Sequence, residues 1–207
     1  MSATPGHRIL DLGRARLAGR ELGADIDIEA KVKPFEAQRW RPDDTHHPTL
    51  QLDDVSAIPF LVDIAGVEEY QHRGRLRASD QDVYVTVTSA VAGYETYCQD
   101  MLRMGAPRHL VAEPVGPAIA VSRACTEGAT HARLVEIARD AQGMMIHPYM
   151  GIEDVWELAA MLSIDSHSPV HVLAPPPPVT WIANDKALFD ELVARVLGRD
   201  ALVDTRI

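Results

Sequence analysis

Cysteine is nearly absent from this chain. Cys98 and Cys125 are the only two in 207 residues, and no CxxC pair exists. That argues against a disulfide framework or a thiolate metal site, and two buried thiols of a reducing compartment are expected. Long apolar runs are also missing. No stretch approaches the ~20 residues needed to span a bilayer. The opening MSATPGHRILDLGR lacks the charged start and apolar core of a signal peptide, so a cytoplasmic protein with no membrane partner is expected. Basic charge is scarce: 20 Lys and Arg stand against 30 Asp and Glu, a net charge of −10. An acidic surface repels phosphate backbones and argues against nucleic acid as a partner. Arg73, Arg75 and Arg77 come closest to a basic patch, but every-second-residue spacing suits a solvated strand or loop.

Several motifs are absent as well. Val91-Ala92-Gly93 is no GxGxxG turn, so a dinucleotide site is not expected. No GxxxxGK[ST] phosphate loop and no GxSxG elbow occurs, which argues against P-loop and α/β-hydrolase chemistry. His46 and His47 are adjacent, so they point apart, and nothing with ligand spacing surrounds them; no metal is expected there. Trp40, Trp156 and Trp181 read as core or interface aromatics.

What the chain has is an ordinary core, with 46% hydrophobic and 24% charged residues. Residues 1–80 read as an irregular arm or small α+β extension. His7–Leu22 suits an amphipathic helix, Asp25–Val32 alternates like a strand, and residues 41–48 form a polar loop. Thr49–Val55 and Ile58–Ile64 suit short strands or extended segments, the second at an edge because of Pro59. Gly66–Leu76 suits a helix. The acidic residues Asp43, Asp44, Asp53 and Asp54 of this arm could support a homodimer.

From Asp82 the pattern becomes regular. Strands are expected at Val83–Val87, His109–Ala112, Met144–His147 and Val170–Ala174. Helices are expected at Tyr94–Met104, at His131–Gln142 behind a Thr130 cap, and at Ile152–Leu162; Ile119–Ala124 fits either state. Pro175–Pro178 reads as a stiff connector, Val179–Ile182 as extended, and a capped helix follows from Asn184. Alternating strands and helices imply βαβ units. The fold class is therefore α/β: a Rossmann-like three-layer fold with a roughly four-stranded parallel sheet. Its domain spans residues 81–183, and 184–207 begin another element.

Ligands of open parallel sheets bind beyond the carboxyl ends of the strands. His147 and Tyr149 stand there, ahead of a helix N-terminus that suits an anion, and Glu113 ends the strand before. These three are the candidate substrate-binding residues, for a small carboxylate or amino acid. No catalytic residue and no metal ligand can be named.

The stretch Trp181-Ile182-Ala183-Asn184-Asp185-Lys186-Ala187-Leu188-Phe189, after a Pro-rich strand end, resembles the entry to an ATP-grasp enzyme. There a Rossmann-like pre-ATP-grasp domain hands over to a helix that begins with an Asn/Gly/Met-Asp-Lys tripeptide. The resemblance is to the carboxylate–amine (peptide) ligases. It implies an ATP-dependent ligase working through an acyl phosphate, with ATP and Mg²⁺ as cofactors. It places Lys186 on the ATP phosphates. It also implies that the chain is an N-terminal part, truncated before the catalytic domains. Those would be supplied in cis or in trans, and they carry the magnesium ligands. The alternative is a stand-alone Rossmann-like module that binds a metabolite or partner without catalysis.

Overall fold

The computed structural model describes residues 12–41, 48–61 and 63–202. Two compact units are present: Phe35–Pro177, and Met1–Pro34 together with Pro178–Ile207. In chain order, helices α1 (Leu12–Asp25) and α2 (Ile28–Val32) precede strand β1 (Thr49–Leu52). A 3-10 helix, Val67–Arg77, leads to strand β2 (Val83–Thr86). Helix α3 (Tyr94–Thr96) continues into a π-helical turn at Tyr97–Met101, ahead of strand β3 (Arg108–Val111). Then come helix α4 (Val121–Ala124), helix α5 (Gly128–Asp140), strand β4 (Met144–Pro148), helix α6 (Glu153–Ser166) and strand β5 (Val170–Val172). Helices α7 (Pro177–Asn184) and α8 (Lys186–Leu197) follow. No helix among the described residues is long and apolar enough to cross a membrane.

The unit Phe35–Pro177 is a Rossmann-like α/β fold. Its sheet has five parallel strands in the order β3-β2-β1-β4-β5. One strand more than expected is present, because β1 is the middle strand of the sheet. The reading of residues 1–80 as an arm is corrected accordingly, and so are the limits at 80/81 and 183/184: the compact units meet at Pro34/Phe35 and Pro177/Pro178.

Period-2 alternation gives the sheet two unlike faces. Leu50, Leu52, Val83, Val85, Met144, Ile146, Val170 and Val172 point to one side. There they pack on Leu134, Ile137 and Ala138 of α5, on Val155, Trp156, Ala159 and Leu162 of α6, and on Val121 of α4, all buried. The opposite face carries Gln51, Tyr84 and Thr86, buried and polar, under the 3-10 helix. In a 3-10 helix side chains recur every three residues. Three rows result. Gln71 and Gly74 lie against the sheet, where a Cβ on Gly74 would sit 3.5 Å from Gln51 and 3.7 Å from Tyr84. His72 and Arg75 form a second buried row, and Tyr70, Arg73 and Leu76 a part-exposed third. Arg73, Arg75 and Arg77 therefore do not share a solvated strand. Arg75 is fully buried.

Other expectations shift at the edges. Asp25–Val32 is no strand. Asp27 takes a left-handed turn (φ 51°), a conformation aspartate tolerates, and this starts α2. Gly23 lets the two helices meet, since a Cβ there would come within 2.9 Å of Ile28. Residues 7–11 of the expected first helix, and Asp43, Asp44, His46 and His47, lie outside the described residues. Pro59–Leu61 forms a 3-10 turn in place of an extended edge. Thr130 lies inside α5, whose N-cap is Glu127. Val179–Ile182 belongs to α7: prolines at a first helical turn forfeit only amides that have no partner anyway. Helix α8 is capped by Asp185, which accepts from the amides of Ala187 (2.9 Å) and Leu188 (3.1 Å), whereas Asn184 ends α7. In the unit of Met1–Pro34 and Pro178–Ile207, α1 packs along α8, and Arg195 reaches Glu191 and, at 3.5 Å, Asp25.

Candidate functional site

The strand order makes the β1/β4 pair the topological switch point, where the chain winds outward to β2-β3 on one side and to β5 on the other. Crevices form beyond the carboxyl ends of such strands. Gln51 faces His147 in register, and the amide of Tyr149 donates to Leu52 O at 2.7 Å. Gln51 and Asp53 share one side of β1, as His147 and Tyr149 share one side of β4.

The carboxylate of Asp53, 1% exposed, holds this edge together. Arg73 donates to it through Nε at 3.0 Å, and Arg77 through Nη2. Nε of Arg77 also reaches Oε1 of Gln51 at 3.2 Å. The Arg73 guanidinium lies over two aromatic rings, Tyr70 at 4.6 Å and Tyr149 at 4.8 Å, which removes it from bulk water on those sides. Burial lowers the pKa of His147 and the positive charge of Arg77 lowers it further, against an opposing pull from Asp53. His147 is therefore neutral at pH 7. Asp54 turns the other way. Its carboxylate accepts from the amide and hydroxyl of Ser56 and, at 2.8 Å, from the amide of Ser122 in the first turn of α4. Asp53 and Asp54 are both buried and do not belong to an exposed acidic arm.

Of the three expected substrate-binding residues, the fold brings His147 and Tyr149 to one edge. Glu113 stands beyond β3, two strands from β1, beside a shallow depression of about 370 Å³ that also takes in Glu127. Lys186 opens α8 in the other compact unit. Sequence reasoning missed Asp53, Tyr70, Arg73 and Arg77. A signal existed for Asp53: a carboxylate straight after an apolar strand marks the carboxyl edge of a parallel sheet.

A second polar cluster fills the space between β2, β3 and the 3-10 helix. Arg75 donates through Nε to both oxygens of Glu95 at 2.9 Å and through Nη2 to Gly105 O at 2.7 Å. The hydroxyl of Tyr84 donates to Glu95 Oε1 at 2.6 Å. His109 stacks on Tyr84, with centroids 4.3 Å apart. The Thr86 hydroxyl donates to Thr88 O (2.6 Å), so the 2.8 Å contact from His109 Nε2 requires that nitrogen to carry the proton. Burial lowers the pKa of His109, and nearby His72 adds to this.

The two depressed histidines set a pH dependence. A histidine that binds its proton less tightly when folded gives the unfolded chain the proton advantage as pH falls below the ordinary 6.5. Stability in urea is expected to be fully present above pH 6.5 and to decline as pH falls through the folded values. His147→Gln is expected to make that decline shallower. An unchanged slope between pH 7.5 and 5 would show that His147 titrates alike in both states.

Residues 71–164 match the family model of the Pre ATP-grasp domain. The match begins within the 3-10 helix and ends within α6, so it takes in β2, β3 and β4 but not β1 or β5. No curated protein and no solved structure matches the chain. Over residues 71–164 the chain is therefore similar to the pre-ATP-grasp domain, a likeness that points towards the ATP-grasp ligases.

Proposed function

We propose that the chain is the N-terminal, substrate-binding part of an ATP-dependent carboxylate–amine ligase. The observation that carries this reading is the family match, laid on a parallel sheet whose switch-point edge gathers His147, Tyr149 and two arginines. In the reaction a substrate carboxylate oxygen attacks the γ-phosphorus of ATP and ADP leaves. An amine then attacks the acyl phosphate carbon, phosphate leaves, and the amine loses a proton. Binding and orienting the carboxylate substrate fall to this chain.

Lys186 is assigned to the ATP phosphates. It is the first residue of a helix whose cap is already made by Asp185, so its long side chain has the reach to bring the ammonium past the helix end, where the dipole also favours anions. Among the described residues no group of three or more His, Cys, Asp or Glu could hold a metal ion. On the family resemblance, magnesium binding is assigned to ATP-grasp domains acting in cis or in trans.

Titration calorimetry with ATP–Mg²⁺ tests the assignment. Binding is expected, and Lys186→Ala should weaken it at least about tenfold, which corresponds to ~1.4 kcal/mol. ATP binding that survives the substitution unchanged removes Lys186 from the site. No ATP binding at all would favour the stand-alone binding module.

A further inference from the structure

We infer that the outer edge of β3 is an interface to a second copy of this chain, which adds its own β3 as an antiparallel strand about a two-fold axis at Leu110. This interface depends on neither ATP nor the ligase reaction.

The two edges of the sheet differ. Beyond β5 the chain closes its own edge: Arg39 bridges Val172 in parallel, and the amide of Trp40 donates to Val172 O at 3.3 Å. Beyond β3 no described residue does so. The amides of Arg108 and Ala112 donate to Asp82 O (2.9 Å) and Thr86 O (2.8 Å), so the even-numbered residues commit their backbone groups to β2. His109 and Val111 therefore turn their N–H and C=O outwards, where they meet no partner among the described residues. Natural edge strands are commonly guarded by lysine, proline or a bulge. The four residues of β3 include no lysine and no proline, and Val111 is 49% exposed.

Symmetry selects the register. A two-fold axis perpendicular to the sheet keeps every side chain on its own face, so even positions meet even ones and odd positions meet odd ones. With Leu110 opposite its counterpart, His109 faces the copy's Val111, and Val111 its His109. Both are then hydrogen-bonded pairs that exchange two bonds each, and every outward group of the two residues is satisfied. An axis at His109 would set Val111 against Pro107, which has no N–H. An axis at Val111 would set His109 against Glu113, past the end of the strand.

Charge and apolar area agree with this choice. Arg108 at the start of β3 and Glu113 just beyond its end are both exposed, and neither has an ionic partner among the described residues. Antiparallel pairing sets Arg108 beside the copy's Glu113 at both ends, whereas parallel pairing would align like charges. A stable interface needs about 800 Å² from each copy, more than one short strand offers. Met101 and Leu102, in the connection that enters β3, are 71% and 44% exposed and are apolar side chains suited to supply more.

Sedimentation velocity of the full chain over a concentration series, with amide hydrogen exchange, tests this. A dimer is expected, largely assembled at ~100 µM. On dilution the His109 and Val111 amides should exchange freely, and in the dimer at least tenfold more slowly. Val111→Pro removes a donor that the isolated fold does not use, and should weaken the dimer at least tenfold. Arg108→Glu and Glu113→Arg should each weaken it several-fold. The combined Arg108→Glu, Glu113→Arg variant should restore it, because the ion pairs are rebuilt with their signs exchanged. This charge swap, at exposed positions, carries the test if Val111→Pro fails to fold. Three results would overturn the inference: a chain still monomeric at that concentration, which would leave the edge to a strand of another protein; a dimer whose His109 and Val111 amides exchange as in the monomer; or a double variant as weak as the single ones.

Discussion

Arg75→Met is expected to destabilise the α/β unit by about 3 kcal/mol, near the lower end of the range for breaking a buried ion pair. Arg75 is fully buried and gives Glu95 two of its hydrogen bonds, while Tyr84 gives a third. Methionine fills most of the volume but strands the Glu95 carboxylate and leaves Gly105 O without its donor. The Glu95 side chain is 34% exposed, so water can partly resolvate it, which places the cost low in the range. Glu95 also gives the variant an acid signature. Burial by itself would raise its pKa, but hydrogen bonds from Tyr84 and Arg75, with the charge of Arg75, outweigh that and hold it below the ordinary 4.5. A depressed carboxyl contributes stability above its unfolded pKa and loses it as pH falls through the folded value. Loss of stability below about pH 4.5 should therefore be shallower in Arg75→Met than in the natural protein. The combined Arg75→Met, Glu95→Gln variant is expected to recover part of the loss, because no charge is then left unpaired. Urea unfolding followed by circular dichroism checks all three variants. A loss under 1 kcal/mol for the single variant would mean that the pair contributes little.

The same arginine shows where sequence reasoning reached its limit. Strand β2 was legible because Val83-Tyr84-Val85-Thr86 is β-branched or aromatic throughout. Helices α5 and α6 were legible from their stripes, and His147 and Tyr149 from their place at a strand end. Strand β1 was legible as a short strand or extended segment but not as the middle of the sheet, since Thr49-Leu50-Gln51-Leu52 follows a polar stretch and leads into two aspartates. Its Gln51 belongs in the middle of a sheet only because the facing 3-10 helix is itself polar. That helix defeated the arginine reading for a related reason. Alternate positions suggest a strand, whereas a three-residue repeat sends Arg73, Arg75 and Arg77 to three different rows. Arg73 and Arg77 then meet Asp53, 20 and 24 residues away, and Arg75 meets Glu95. Pairings of this kind depend on tertiary packing and have no local pattern. The tripeptide Asn184-Asp185-Lys186 gave Lys186 its first-turn place correctly, but the cap passed one residue on to Asp185.

The apolar side of the sheet gives the other large effect, at Trp156. This residue is 2% exposed in the main core, and Phe35 meets it edge-on at 5.4 Å with 72° between the rings. Trp156→Ala is expected to cost about 3–5 kcal/mol, from lost burial plus the cavity left between α6 and Phe35. Trp156→Phe should behave differently. The indole N–H is buried and has no acceptor among the described residues, a condition that costs about 1–3 kcal/mol in itself. Phenylalanine removes that donor while giving up part of the ring area, worth on the order of 1–2 kcal/mol. The two changes oppose, so Trp156→Phe is expected to lie within about 1 kcal/mol of the natural protein. Circular dichroism in urea is the suitable readout, because indole fluorescence changes with the substitution itself. A phenylalanine variant as unstable as the alanine variant would show that the indole N–H does have a partner, and that the site is built for tryptophan rather than for an apolar ring of similar shape.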